Sequence, residues 1–349
     1  MKAQSVSSYA LSNALRSVVS KAQTELLKAQ QEASTGAVFD VGLALGARSG
    51  QTISLRKEYD RLSSLTDTNN LISQRMKTSQ TAISGIIDGA QDFLANLTGA
   101  TSTEAGKNTI VQSAKSALQT ATGLLNSSYA GEYIFAGVNT DVKPVGDYLA
   151  DDSTARPAIQ TAFENHFGFA MDDPQVADIT ASDMEVFLDT TFADEFSSTN
   201  WSDNWSSASS TVVKSRIAPT ELAETSVSAN GEGFRKVAMS FTMVAEFGNI
   251  GLNDNAFSAL IDKALATTTG AITSVSQSQS TLGIAEARTT SANTRIAAQL
   301  NILNNSVLDL EAVDPYEAAT RVSALTSQIE TSYAMTVRLM NMSLLNYLR

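Results

Sequence analysis

Apolar residues recur at alternating steps of three and four along most of this chain. From Leu62 the seam runs through Leu65, Asn69, Ile72, Met76, Ser79, Ile83, Ile86, Ala90 and Phe93 to Leu97 without a slip. That is the heptad spacing of a helix packed along one edge. It predicts one helix from about 51 to 98, roughly 70 Å long at 1.5 Å per residue, which is longer than a globular core requires. Ile110, Ala114, Ala117, Ala121 and Leu124 seam a second helix beyond a break at 99–106. Farther along, Phe257, Ile261, Ala264, Thr268, Ala271, Val275, Ser278 and Leu282 step as a heptad, with Gly283 as an expected interruption. Ala292, Ile296, Leu300, Leu303, Val307 and Leu310 then resume the pattern. The polar seam residues Asn69 and Ser79 either fix helix register, as buried polar heptad positions do, or mark exposed breaks.

Both ends of the chain carry single amphipathic helices. Leu11, Leu15, Val18, Ala22, Leu26, Ala29 and Ala33 form a stripe that stops at Ser34-Thr35-Gly36. The last helix has the sharpest start signal: Asp314 as N-cap, Pro315 at the first helical position and Glu317 completing a capping box. Its apolar face is Val322, Leu325, Ile329, Tyr333, Val337, Met340, Leu344 and Leu348. A lone amphipathic helix is marginal in water and needs a partner surface. The simplest partner for each end is the other, paired antiparallel. Stripe left uncovered by that pairing predicts association with further copies of the chain, so the stripe residues are the candidate assembly interface. Packing of all the helices into one compact bundle is the alternative that periodicity alone leaves open.

Composition changes this picture in the middle of the chain. Four of five prolines (Pro144, Pro157, Pro174, Pro219), both tryptophans and 9 of 23 aromatic residues fall within 138–231. That stretch has 16 acidic and 4 basic residues, so it carries the whole net charge of −12, and the remaining 20 acids and 20 bases cancel. It reads as an inserted segment with aromatic material for its own core, built of Pro-interrupted strands, turns and short helices. The expected fold class is therefore mainly α: a long, coiled-coil-like helical rod built from both chain ends, with an inserted mixed α/β or β-rich domain. The acidic balance disfavours nucleic acid as a partner. The chain of 349 residues has no cysteine and one histidine, His166, which weighs against thiolate metal sites, cysteine nucleophiles and His-dependent hydrolysis. Stretches such as 41–47 and 237–247 are too short to span a membrane, so no membrane insertion is expected. Small polar residues follow Lys2 where a secretory signal would place its apolar block, which leaves the cytoplasm, or export without a cleaved signal, as the expected routes.

The remaining motifs are weak carriers of chemistry. His166 lies among aromatics and reads as a packed or surface imidazole. Asp151-Asp152, Asp172-Asp173 and Asp194-Glu195 lack the order of a calcium loop and read as solvated acidic surface. Gly231-Glu232-Gly233 is half of a dinucleotide fingerprint and reads as the return into a helix. Trp201 and Trp205 are either a core anchor or a platform for carbohydrate stacking. No catalytic residue, cofactor or metal is expected.

Three regions carry a resemblance. Tyr316-Glu317-Ala318-Ala319-Thr320, Thr326-Ser327-Gln328-Ile329-Glu330-Thr331-Ser332-Tyr333-Ala334-Met335-Thr336 and Ser343–Leu348 resemble the C-terminal helix of the flagellin superfamily, and Gln30–Gly36 resembles the end of its first helix. Val38-Phe39-Asp40 then departs from that pattern. Gly131-Glu132-Tyr133-Ile134-Phe135-Ala136-Gly137 is similar to the Gly-x-Tyr-hydrophobic-Phe-Ala-Gly passage of the third hook-associated protein family, with Pro144 nearby. The residues of that motif are Gly131, Tyr133, Phe135, Ala136 and Gly137. The resemblance covers roughly 85–145 and 285–349 best, 1–60 less well and 150–230 not at all. It implies a structural, non-enzymatic adaptor of the bacterial flagellum that joins hook to filament. Implied partners are the first hook-associated protein on the hook side, flagellin, copies of itself in a ring and a cytoplasmic export chaperone. In that scheme 1–45 with 305–349 form an inner axial helix pair, 46–137 with 232–304 a long-helix rod, and 138–231 an acidic outer domain. A filament-forming flagellin is the nearest alternative, and a secreted enzyme on a flagellin-like scaffold a more distant one.

Overall fold

The computed structural model describes residues 8–100 and 103–347, with side chains described for those between 13 and 338. In chain order the elements are α1 (Ser8–Thr35), α2 (Val41–Leu45), a 3-10 turn at Gly46–Arg48, α3 (Ser49–Thr98) and α4 (Glu104–Leu125). There follow β1 (Ser128–Tyr129), β2 (Glu132–Tyr133), α5 (Ala155–Phe167), a 3-10 turn at Pro174–Asp178, α6 (Ala181–Asp189), α7 (Thr191–Asp194) and α8 (Ser198–Asn204). The chain closes with β3 (Lys214–Ala218), β4 (Glu221–Glu224), α9 (Glu232–Phe247), α10 (Asp254–Glu311) and α11 (Pro315–Tyr347). Helix makes up 74% of the structure, with long helices at both chain ends, so the fold is mainly α, a helical-rod class with a small sheet insert. The described strands form two antiparallel hairpins, β1–β2 and β3–β4. No described helix is long and apolar enough to cross a membrane. The chain divides into two compact units, a terminal one up to Ser64 and from Ile296 onward, and a central one from Leu65 to Arg295.

In the terminal unit α1 stops where Gly36 takes a left-handed φ of 70° and its N–H donates to the Glu32 carbonyl at 2.8 Å. Helices α1 and α11 pack antiparallel. Gln23 reaches the Tyr333 hydroxyl at 3.0 Å and Glu32 pairs with Arg321 at 3.0 Å, so positions rise along one helix as they fall along the other. Val19, Ala22 and Ala29 face Ala318 and Ser332 as the buried seam. At the start of α11 the Asp314 carboxylate accepts from the Tyr316 N–H at 2.8 Å. Glu317 does not complete the expected capping box in this way; its carboxylate accepts from Arg321 one turn on, at 2.9 Å, a stronger charged donor than a backbone amide. The two helix entries cross as a short ladder: Val38 N–H donates to the Glu311 carbonyl at 2.9 Å and Val313 N–H to the Gly36 carbonyl at 3.0 Å. Beneath it Arg56 grips the nearly buried Glu311 carboxylate through two hydrogen bonds, Nε at 3.1 Å and Nη2 on the second oxygen.

The central unit follows the heptad seam closely. Met76, Ile83, Ile86, Ala90, Phe93 and Leu97 of α3 are all buried, and so are Asn69 and Ser79. Asn69 donates to the Ile217 carbonyl at 2.8 Å and to Asn293 at 2.7 Å, tying α3 to β3 and α10. It is thus a buried register residue, not an exposed break. Gly283 interrupts nothing, because α10 runs through it. One glycine costs about 1 kcal/mol against alanine, which a long helix packed on both sides of the position absorbs. Helix α9 is buried nearly all round from Val237 to Phe247, including its polar residues Ser240, Thr242 and Glu246. Phe241 meets Phe93 of α3 edge-on at 4.9 Å, and Gly233 lies so close to α10 that a Cβ there would come within 2.7 Å of the Val275 nitrogen.

The inserted segment is mixed rather than β-rich, with helices α5–α8 and the single hairpin β3–β4. Its aromatic residues do not close a core of their own. Phe163, Phe187 and Phe192 gather on Phe247, at 5.7, 5.3 and 5.3 Å between ring centres. Phe247 is the last residue of α9, outside 138–231, so insertion and helices share one continuous core. About ninety residues with this much acidic surface bury more apolar area against an existing helix than among themselves.

Candidate assembly surfaces

The stripe residues of the terminal helices fall into three groups. Ala22 is buried in the α1–α11 seam, and Leu15, Leu26, Val322, Leu325 and Ile329 are half-buried at its margins. Val18, Tyr333 and Val337 are exposed, although the Tyr333 hydroxyl still meets Gln23 across the seam. Val19 takes the seam place assigned to Val18; 15, 19, 22 and 15, 18, 22 are both legal heptad steps, and the position of α11 decides between them. Leu11, Met340 and Leu344 lie outside the described side chains. Sequence reading missed Leu27 and Met335, which are more than half exposed beside the seam, as Tyr333 and Val337 are. Their signal was apolar residues off the stripe, Leu27 one position beyond Leu26 and Met335 midway between Tyr333 and Val337. Leu43 on α2 and Tyr316 at the head of α11 are more exposed still. So many large apolar side chains in water around a seam of alanines leave this unit short of a covering surface.

The Gly131–Gly137 passage is built in the opposite way. Ala130 and Gly131, with φ of 53° and 87°, form the two-residue turn that joins β1 to β2. Tyr133 is half-buried and its N–H donates to the Thr140 carbonyl at 2.8 Å. Ile134, Phe135 and Ala136 are fully buried, with Phe135 edge-on to Phe234 of α9 at 5.6 Å. The Phe135 carbonyl accepts from Ala229 at 2.8 Å and the Ala136 carbonyl from Ser209 at 2.9 Å. Gly137 has a φ of 64°, and a Cβ there would stand 2.2 Å from the Ser209 carbonyl oxygen. The passage is a joint threaded between residues 209–211 and 228–229 of the insertion. Phe135, Ala136 and Gly137 cannot touch a partner.

The remaining candidates are absorbed by the fold. His166 places Nδ1 2.9 Å from the Thr191 hydroxyl and its ring against Phe167 and Phe187. Trp205 is sandwiched at 10° between Trp201 and Tyr148, with ring centres 5.2 and 4.9 Å away. Both its faces are covered, which leaves none for a sugar and makes the pair a core anchor. Asp173 caps the Pro174–Asp178 turn. Among the described residues no three acidic or histidine side chains converge as a metal site. Glu246, nearly buried on α9, receives Arg156 of α5 at 2.9 Å. Burial, and then the Glu246 charge, push the neighbouring Tyr148 phenol far up, so it stays neutral. A cleft of about 560 Å³ opens beside Asp189, Arg235, Lys236 and Lys263. Its lysines are paired with Glu232 at 2.6 Å and with Asp189, so its charge is largely spent internally.

Comparison with known proteins bears on the same flanks. The family profile described as the bacterial flagellin N-terminal helical region matches residues 6–140, and that described as the bacterial flagellin C-terminal helical region matches 265–348. Among solved structures, one described as a flagellar hook-associated protein from Vibrio parahaemolyticus is 11% identical, covering 76% of this chain and 97% of that one at a TM-score of 0.53. At that identity the likeness is one of fold. No curated protein sequence matches significantly.

Proposed function

Because the chain belongs to the flagellin superfamily and is a structural protein of the bacterial flagellum, we propose that it is the adaptor that joins hook to filament. The observation that carries an assembling role is the terminal unit. Its two helices close on small residues and leave Val18, Leu27, Tyr333, Met335 and Val337 uncovered. Copies of the chain cover them in a ring, with 1–45 and 305–349 as the inner pair, 46–137 and 232–304 as the rod, and 138–231 outermost. The first hook-associated protein lies on one side of that ring and flagellin on the other. Resemblance of Gly131–Thr140 to the third hook-associated protein is what supports the junction over the filament. Export without a cleaved signal, with a chaperone in the cytoplasm, belongs to the same reading. The superfamily is structural, and this reading assigns no catalytic step.

Leu325→Asp places a charge at the margin of the α1–α11 seam. It should abolish incorporation into the flagellum while the purified chain keeps the helical circular dichroism of its central unit. Normal filament attachment by that variant would sink the proposal. Mass spectrometry of isolated flagella separates the two polymer roles: a ring's worth of copies supports the junction, and a dominant band means a flagellin.

A further inference from the structure

Asn230 is followed by Gly231, and the pair Asn-Gly occurs nowhere else in the chain. In a flexible chain that dipeptide is chemically fragile. The backbone nitrogen of the glycine attacks Cγ of the asparagine unhindered by a side chain. A bond forms between that nitrogen and Cγ, the Cγ–Nδ2 bond breaks, and the amide nitrogen leaves as ammonia with the displaced proton. The five-membered imide that results is opened by water at either carbonyl. The products are aspartate, or isoaspartate with the backbone rerouted through the side chain.

The folded protein holds both reacting groups away from this path. Oδ1 of Asn230 accepts from the Trp201 indole N–H at 3.0 Å and from the Ser206 hydroxyl at 2.6 Å. Nδ2 donates to the Ala208 carbonyl at 2.8 Å and to the Ser210 hydroxyl at 3.1 Å. The attacking nitrogen is engaged as well, since the Gly231 N–H donates to the Ser228 carbonyl at 2.9 Å. Gly231 is also the N-cap of α9, in an extended conformation. Attack on Cγ requires all five of these bonds to yield, which amounts to opening the latch between 206–210 and the entry to α9.

We propose that Asn230 is a deamidation site, open while the chain is unfolded and closed when the insertion folds onto α9. The modified chain cannot close the same latch. An aspartate at 230 turns the two-proton donor into an acceptor that faces the Ala208 carbonyl, with a half-buried charge added to the acidic segment. Isoaspartate lengthens the backbone at the residue that positions the first turn of α9. Residue 230 therefore records how long a chain has waited before folding.

The test uses the full-length chain at mildly alkaline pH, in native buffer and in guanidinium chloride, with site-resolved mass spectrometry of residue 230 over time. Conversion should be at least about tenfold slower in the native sample, in proportion to the rarity of local opening. Equal rates would overturn the protection. After removal of denaturant and brief proteolysis, isoaspartate-230 should collect in the cleaved fraction. An even split between cleaved and resistant chains would overturn the latch. Gly231→Ala should slow conversion in denaturant, and no slowing would reassign the chemistry away from this dipeptide.

Discussion

Where α1 meets α11 the closed contacts are Val19, Ala22, Ala29, Ala318 and Ser332, whereas the central unit closes on Phe93, Phe163, Phe187, Phe192, Phe234, Phe241 and Phe247. The polarity of exposure is reversed too. In the terminal unit the large side chains, Leu27 and Met335 among them, lie outside a seam of small ones. In the central unit the aromatic residues of the core are enclosed, apolar side chains such as Leu71, Leu222 and Ile284 stay on the surface, and Glu246 is buried on its ion pair with Arg156. A buried phenylalanine contributes several times the apolar area of an alanine. The central unit is therefore stabilised by its own core, and the terminal pair gains most of its stability from whatever covers it.

That contrast breaks most readily at Phe247. Phe247→Ala removes the ring on which three insertion phenylalanines converge and should cost about 3–5 kcal/mol, read as an early loss of tryptophan fluorescence in denaturant. If the insertion kept its parental midpoint, it would have a separate core after all. Gly137→Ala forces a Cβ onto the Ser209 carbonyl at a left-handed φ and should cost about 3 kcal/mol by the same measurement. A neutral result would mean the 209–211 segment gives way freely.

The sequence disclosed the helices far better than their neighbours. The seam from Leu62 to Leu97 is periodic, and periodicity is local information, so both its apolar and its polar positions were visible. Val18 against Val19 was not, since a stripe allows either until the partner helix is placed. The role of Phe247 was hidden for the same reason at longer range: nothing local to 247 says that residues 163, 187 and 192 will converge on it. The Gly131–Gly137 passage was legible as a resemblance, yet its burial shows that a recognisable motif can serve as a folding joint. The Asn230 hub left only its dipeptide as a trace.

On the terminal side the expected effects on stability are small and those on assembly large. Leu27→Ser should change the unfolding free energy by less than about 0.5 kcal/mol, as exposed substitutions do, while lowering the self-association read by sedimentation. A variant that unfolds early and still associates would reverse the assignment of Leu27 to the outer surface. The smallest effect belongs to Glu195. Burial, and secondly the charge of Asp194, push its carboxyl above the ordinary carboxylate range. The folded chain thus holds that proton more tightly than the unfolded one. The stabilisation is present below the ordinary range and lost as pH rises through the folded value. Glu195→Gln should accordingly melt slightly above the parent at neutral pH, with the difference vanishing in acid.

Small teeth along the α1–α11 seam also bear on axial setting. Sliding one helix by a heptad replaces Ala22 with Ala29, or Leu15 with Ala22, a modest penalty for a large displacement. Register therefore rests on the backbone ladder of Gly36, Val38, Glu311 and Val313 and on two side-chain pins, Gln23 with Tyr333 and Glu32 with Arg321, the second an ion pair whose arginine is about half exposed. Salt weakens such a pin without touching the alanines. The ionic strength of the medium thus loosens one of the tethers between the helices and leaves the neutral ones in place.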